Sequence, residues 1–135
     1  MNLLMLTLIM FTGPMHIPVK RLITSPALQE RLELKADQIE KIENIWYEGR
    51  KKLIDLQSKR QKILLSIQKE MNGEDVNLEN LRKLYDELGD VISKIKFTHA
   101  EMMLKVRGIL TKDQLVRIEE ARWRRHRRHL PPVQR

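Results

Sequence analysis

Three groups of residues in this chain have types and spacings that could do chemistry. His99 and Met103 stand at i and i+4, so a helix would carry an imidazole and a thioether on one face, within reach of a shared soft divalent ion. His126 and His129 are three apart and could bind a metal weakly, but arginines flank them on both sides and repel a cation. The second group is basic: Arg50, Lys51, Lys52, Lys59, Arg60, Lys62 and Lys69, accompanied mainly by Asp55 and Glu70, predict a positive face on one helix. The third is a repeat. Leu34-Lys35-Ala36-Asp37-Gln38 returns as Leu110-Thr111-Lys112-Asp113-Gln114. Thr111 suits a helix N-cap, and Gln114 three positions later can reach back to the cap's own N–H, which makes a capping box. At the first copy Lys35 replaces the hydroxyl residue, so that box is incomplete.

Catalysis finds few candidates. Without cysteine there is no thiol nucleophile, Cys-based zinc site or disulfide, although this does not fix the compartment. No Ser/His/Asp arrangement and no Gly-rich phosphate loop is apparent, and carboxylates fall at ion-pair spacings such as Glu48 with Lys52 and Asp55 with Lys59. The expectation is a binding protein and not an enzyme. No cofactor is expected, with His99 and Met103 the candidate ligands should a divalent metal be bound.

Two long helices must position these residues. In the first arm Ile39, Ile42, Trp46, Gly49, Leu53, Leu56, Arg60, Ile63 and Ile67 alternate steps of three and four, a heptad stripe. The second arm keeps that rhythm through Leu78, Leu81, Tyr85, Leu88, Ile92, Ile95, His99, Met102, Val106 and Ile109, which makes His99 a polar interruption that sets register. Asn72-Gly73 reads as a helix stop and Asn77 as the next N-cap, with Glu74, Asp75 and Glu79 where a helix N-terminus favours negative charge. The arms therefore fold back antiparallel, as an all-α hairpin of some 30 residues per arm. Such a hairpin encloses little core. Ile45, Ile54, Leu64, Leu65 and Val91, beside the seam, then need a second surface, and a homodimer is expected. Met71, Met102 and Met103 are candidates for an adaptable apolar surface, or for seam filling.

The flanks divide the chain into an apolar segment and tether (1–24), the hairpin domain (25–121) and a basic tail (122–135). Leu3 to Phe11 is an uncharged apolar run of signal-peptide length, too short to span a bilayer. Against export, Thr12-Gly13-Pro14 is a poor cleavage site and no Lys or Arg precedes the run, the latter being what a true start upstream, carrying a basic n-region, would explain. Export is the leading expectation; an apolar arm packed on the hairpin or an uncleaved inner-membrane anchor are the alternatives. Met15 to Ser25 reads as a tether, His16 stands alone in it, and Ser25-Pro26 starts a short helix through Leu28 and Leu32. The formal net charge is +8 and six arginines without an acid follow Ala121. Trp123 to His129 continues the last helix until Pro131-Pro132 stops it. This block could meet nucleic-acid phosphates or acidic lipid, or be a solvated end.

Two such Leu-Thr-x-x-Gln motifs flanking a helical hairpin behind an export signal resemble the Spy/CpxP family of periplasmic stress proteins and its metal-resistance relatives of the ZraP and CnrX type. The resemblance covers about residues 25 to 121: the second motif matches in Leu110, Thr111 and Gln114, the first in Leu34 and Gln38. It implies a thin, cradle-shaped dimer acting without ATP as a holding chaperone or envelope stress sensor, with unfolded or envelope proteins as partners and the basic first-arm residues facing the client. It also implies an alternative, a periplasmic heavy-metal sensor or resistance protein, because His99-Ala100-Glu101-Met102-Met103 resembles the His-x-x-x-Met pair of CnrX-like sensors. The rest of that site is missing, since no His-x-x-x-His pair precedes the first arm. An intracellular coiled-coil adaptor using its Arg-rich tail on nucleic acid is a third class, not favoured while the N-terminal run points to export.

Overall fold

The computed structural model describes residues 16–128, with the backbone alone at 126–128. The described residues form five helices and no strand: α1 (Val19–Thr24), α2 (Pro26–Arg31), α3 (Ala36–Met71), α4 (Leu78–Ile109) and α5 (Lys112–Arg128). No described helix is long and apolar enough to cross a membrane. α3 and α4, of 36 and 32 residues, are about 54 and 48 Å long at 1.5 Å per residue and pack along one another as a hairpin. The turn is tied as the sequence predicts, with Asn77 Oδ1 accepting the N–H groups of Glu79 and Asn80 at 3.0 Å each. Glu70 adds a staple: its carboxylate accepts from the Asn77 N–H and from the Asn80 side-chain amide, both at 2.8 Å.

The α3 seam follows the predicted stripe, burying Ile42, Gly49, Leu53, Ile63 and Ile67, with Arg60 exposed. Along α4 the phase differs from the predicted one. Leu84 is half-buried and Val91 and Thr98 are buried, while Tyr85, Ile92 and His99, each one residue further on, are exposed. Both phases step by three and four, and apolar pairs at Leu84-Tyr85 and Val91-Ile92 let the pattern fit either. Packing on α3 decides between them. Val91, expected beside the seam, is only 2% exposed and forms the distal core with Ile63 and Ile67. Thr98, not His99, is the seam's polar residue, and its hydroxyl is satisfied by the Lys94 carbonyl at 2.8 Å.

Gly49 marks a close approach of the two rods. A Cβ there would overlap the Met102 side chain, so any larger residue would require Met102 to shift from its present position. The glycine costs roughly 1 kcal/mol in helix propensity against alanine, and contact with the buried Met102 offsets it.

The base is thicker than the arms. Ile17, Val19, Leu22, Leu32, Ile42, Val106, Leu110 and Ile118 form one buried cluster joining the flanking helices to the hairpin. Residues 15–25 are thus not a tether where described: Val19–Thr24 is helical and Leu22 is fully buried. Six residues are too few to show a helical period, and only tertiary packing makes this turn stable. α2 begins as expected, with Ser25 Oγ accepting the Leu28 N–H at 3.3 Å. It ends in a Schellman pattern, Leu34 N–H to Gln29 carbonyl and Glu33 N–H to Glu30 carbonyl, with Glu33 at φ 52 in the left-handed position usual for glycine.

Candidate functional site

The repeated motifs meet. Gln38, at the start of α3, and Gln114, at the start of α5, lie 76 positions apart and exchange hydrogen bonds, Gln38 Nε2 to Gln114 Oε1 at 3.0 Å and Gln114 Nε2 to Gln38 Oε1 at 3.1 Å. Each Oε1 also accepts the N–H of its own N-cap, Lys35 at 3.0 Å and Thr111 at 2.9 Å. Each Nε2 also donates to a carbonyl just ahead of the other motif: Gln38 to Ile109 at 3.1 Å, Gln114 to Leu32 at 3.2 Å and to Glu33 at 3.5 Å. The pair therefore has a local pseudo-twofold arrangement, and every amide atom finds a partner although both residues are buried. The asymmetry expected at Lys35 is present. Thr111 Oγ1 accepts the Gln114 N–H at 3.2 Å, whereas the Lys35 ammonium has no lone pair to offer Gln38. Arg117 straps the same corner, donating to the Arg31 carbonyl at 3.1 Å and pairing with Glu33 at 3.3 Å and Asp113 at 3.0 Å. Sequence reading found both glutamines as caps but not as partners, because reciprocity across 76 residues has no local signature.

The arms present two unlike faces. In antiparallel helices the flank positions of one seam meet their counterparts on the other, so each arm contributes a stripe to each face. One face is charged: Lys52 of α3 approaches Glu101 of α4 at 3.9 Å, and Lys105 pairs with Glu101 at 3.0 Å. Shallow hollows on this face are lined by Ile45, Glu48, Gly49, Lys52 and Lys105, and by Asp55, Lys94 and Phe97. The Lys105 ammonium, hydrogen-bonded to Glu101, holds that carboxyl below its ordinary value, and Lys51 does the same for Glu48. Glu48 thus pairs with Lys51 at 2.8 Å and not with the expected Lys52, whose reach goes across the seam.

The opposite face is largely uncharged. On α3 its stripe reads Tyr47, Arg50, Ile54, Gln57, Gln61, Leu64, Gln68 and Met71, a second three-four progression. On α4 it contains Leu78, Tyr85, Ile92, His99 and Met103, with Arg82 and Lys96 as its cations. Seven of these apolar side chains are exposed, from 36% at Ile92 to 76% at Leu78. Exposed large apolar side chains aligned along one face in this way are candidates for an interaction site.

The predicted site residues are divided between these surfaces. Lys52, Lys59 and Lys62 fall on the charged face, Arg50 on the uncharged one, and Lys51 and Arg60 on neither, so the six basic candidates do not make one positive stripe. Acids from both arms accompany those on the charged face. His99 is exposed and Met103 half-buried on the uncharged face, and no group of three or more His, Cys, Asp or Glu that could hold a metal occurs among the described residues. The His126 side chain and His129 lie outside the described residues, as does the apolar run. No family model, curated protein or solved structure matches the chain.

Proposed function

We propose that this protein is an exported, ATP-independent holding chaperone or envelope stress protein of the Spy/CpxP type, acting as a dimer of hairpins in a cradle. The observation that carries the reading is the uncharged face: seven large apolar side chains left in water along two helices, interleaved with Gln57, Gln61 and Gln68 and edged by Arg50, Arg82 and Lys96. Unfolded chains expose apolar segments together with acidic groups. The three cations draw such a segment in, and the apolar stripe retains it. Tyrosine adds a hydroxyl-tipped apolar surface and methionine an adaptable one, which suits clients of many shapes. The paired motifs at Gln38 and Gln114 support the family resemblance by holding the base of the hairpin closed.

The test is light scattering from a chemically denatured model protein diluted into buffer containing the full chain, without nucleotide. Suppression at near-stoichiometric dimer is expected. Unchanged scattering from a folded, dimeric chain would overturn the reading.

A further inference from the structure

The charge of this molecule is segregated along its length. In the arms, residues 42–103, eleven Lys and Arg face eleven Asp and Glu, whereas the base, residues 16–41 and 104–128, holds fourteen basic residues against seven acidic ones. Nearly the whole net charge therefore belongs to one end. Among the described residues of the base, Lys20, Arg21, Arg31, Lys112, Arg124 and Arg125 are exposed and have no ion-pair partner, and this end has half as many acids as bases to balance them. Trp123, 53% exposed, sits beside Arg124 on the protruding end of α5.

We propose that the base is a docking surface for anionic phospholipid, which would set the arms pointing away from a bilayer. Phosphate-bearing head groups supply the negative charge that the unpaired arginines lack within the protein. An indole next to an arginine fits the head-group boundary, where an amphipathic ring has apolar and polar surroundings together. Nucleic acid offers the same phosphate chemistry but not the apolar–polar boundary that suits an exposed indole beside arginines. The inference is independent of what the uncharged face binds.

The experiment is co-sedimentation of the full chain with vesicles of 30% phosphatidylglycerol in phosphatidylcholine, and with pure phosphatidylcholine, between 50 and 500 mM salt. Binding to the anionic vesicles alone, weakening as salt rises, is expected. Each Lys or Arg near such a surface contributes about a fivefold change, so Arg124→Ala with Arg125→Ala should weaken binding roughly 25-fold. Lys59→Ala with Lys62→Ala, in the neutral arms, should leave it unchanged. In a Trp46→Phe background Trp123 fluorescence should shift to the blue on binding. Equal sedimentation with both vesicle types, an unaltered tail double variant, or binding of duplex DNA without binding of anionic vesicles would each overturn the proposal. All of these variants are at exposed or half-buried positions, and circular dichroism checks that they remain helical.

Discussion

The base and the arms solve opposite problems. At the base two polar side chains are buried and fully satisfied, whereas along the uncharged face of the arms seven large apolar side chains are left in water. Two helices alone can bury only one stripe each, so the other faces of α3 and α4 are open to selection for something besides folding. The base gains thickness from α1, α2 and α5, and its glutamine pair ties the start of α3 to the start of α5 and to the segment that follows α2. The difference separates a part that determines the fold from a part that is free to bind.

The largest effect should follow from breaking the base. Gln114→Ala removes one partner from each end of the buried Gln38 amide and takes away the side-chain acceptor of the Thr111 N–H and a donor to the buried Leu32 carbonyl, and should cost about 3 kcal/mol, read by urea unfolding. Combined with Gln38→Ala the loss should be less than the sum, with a coupling of about 1 kcal/mol or more; additive losses would contradict the reciprocal pair. Next, Gly49→Leu should destabilise by about 2 kcal/mol through overlap with Met102, and Met102→Ala should recover part of it. Val91→Ala should cost about 1.5 kcal/mol from two lost buried carbons, whereas Ile92→Ala should cost less than about 0.5 kcal/mol. A reversed order would restore the phase that periodicity alone suggests.

The smallest effect concerns acid. Hydrogen bonding from Lys105 lowers the Glu101 carboxyl, and from Lys51 that of Glu48. A depressed folded value means that the stabilisation is present above the unfolded carboxylate range and is lost as pH falls through the folded value. Thermal stability should therefore decline slightly below pH 4.5, and Glu101→Gln should flatten that decline.

Much of the architecture is legible in the amino-acid sequence. The Asn72-Gly73 stop, the Asn77 cap, the Ser25-Pro26 start and the α3 seam all follow from side-chain chemistry acting within a turn or two. What stays hidden is decided at longer range. The α4 phase depends on which of two adjacent apolar residues meets the partner helix, α1 depends on a cluster drawn from four other segments, and the glutamine pair joins residues 76 positions apart. The candidate site is legible only in part. The basic residues of α3 stand out by composition, yet they scatter around the rod, while the uncharged face becomes visible only once the register assigns both of its stripes to one side.

Client binding by the uncharged face, as proposed, is tested by one side-by-side measurement. Ile54→Asp with Tyr85→Asp alters the uncharged face, and Phe97→Asp alters an exposed apolar residue, 69% accessible, on the charged face. Both variants should retain the wild-type helical content and melting temperature. In the scattering assay the first should lose suppression of aggregation at least tenfold in the concentration required, and the second should act as wild type. Equal activity in all three proteins, or loss in the Phe97→Asp variant alone, would contradict the assignment of client binding to the uncharged face.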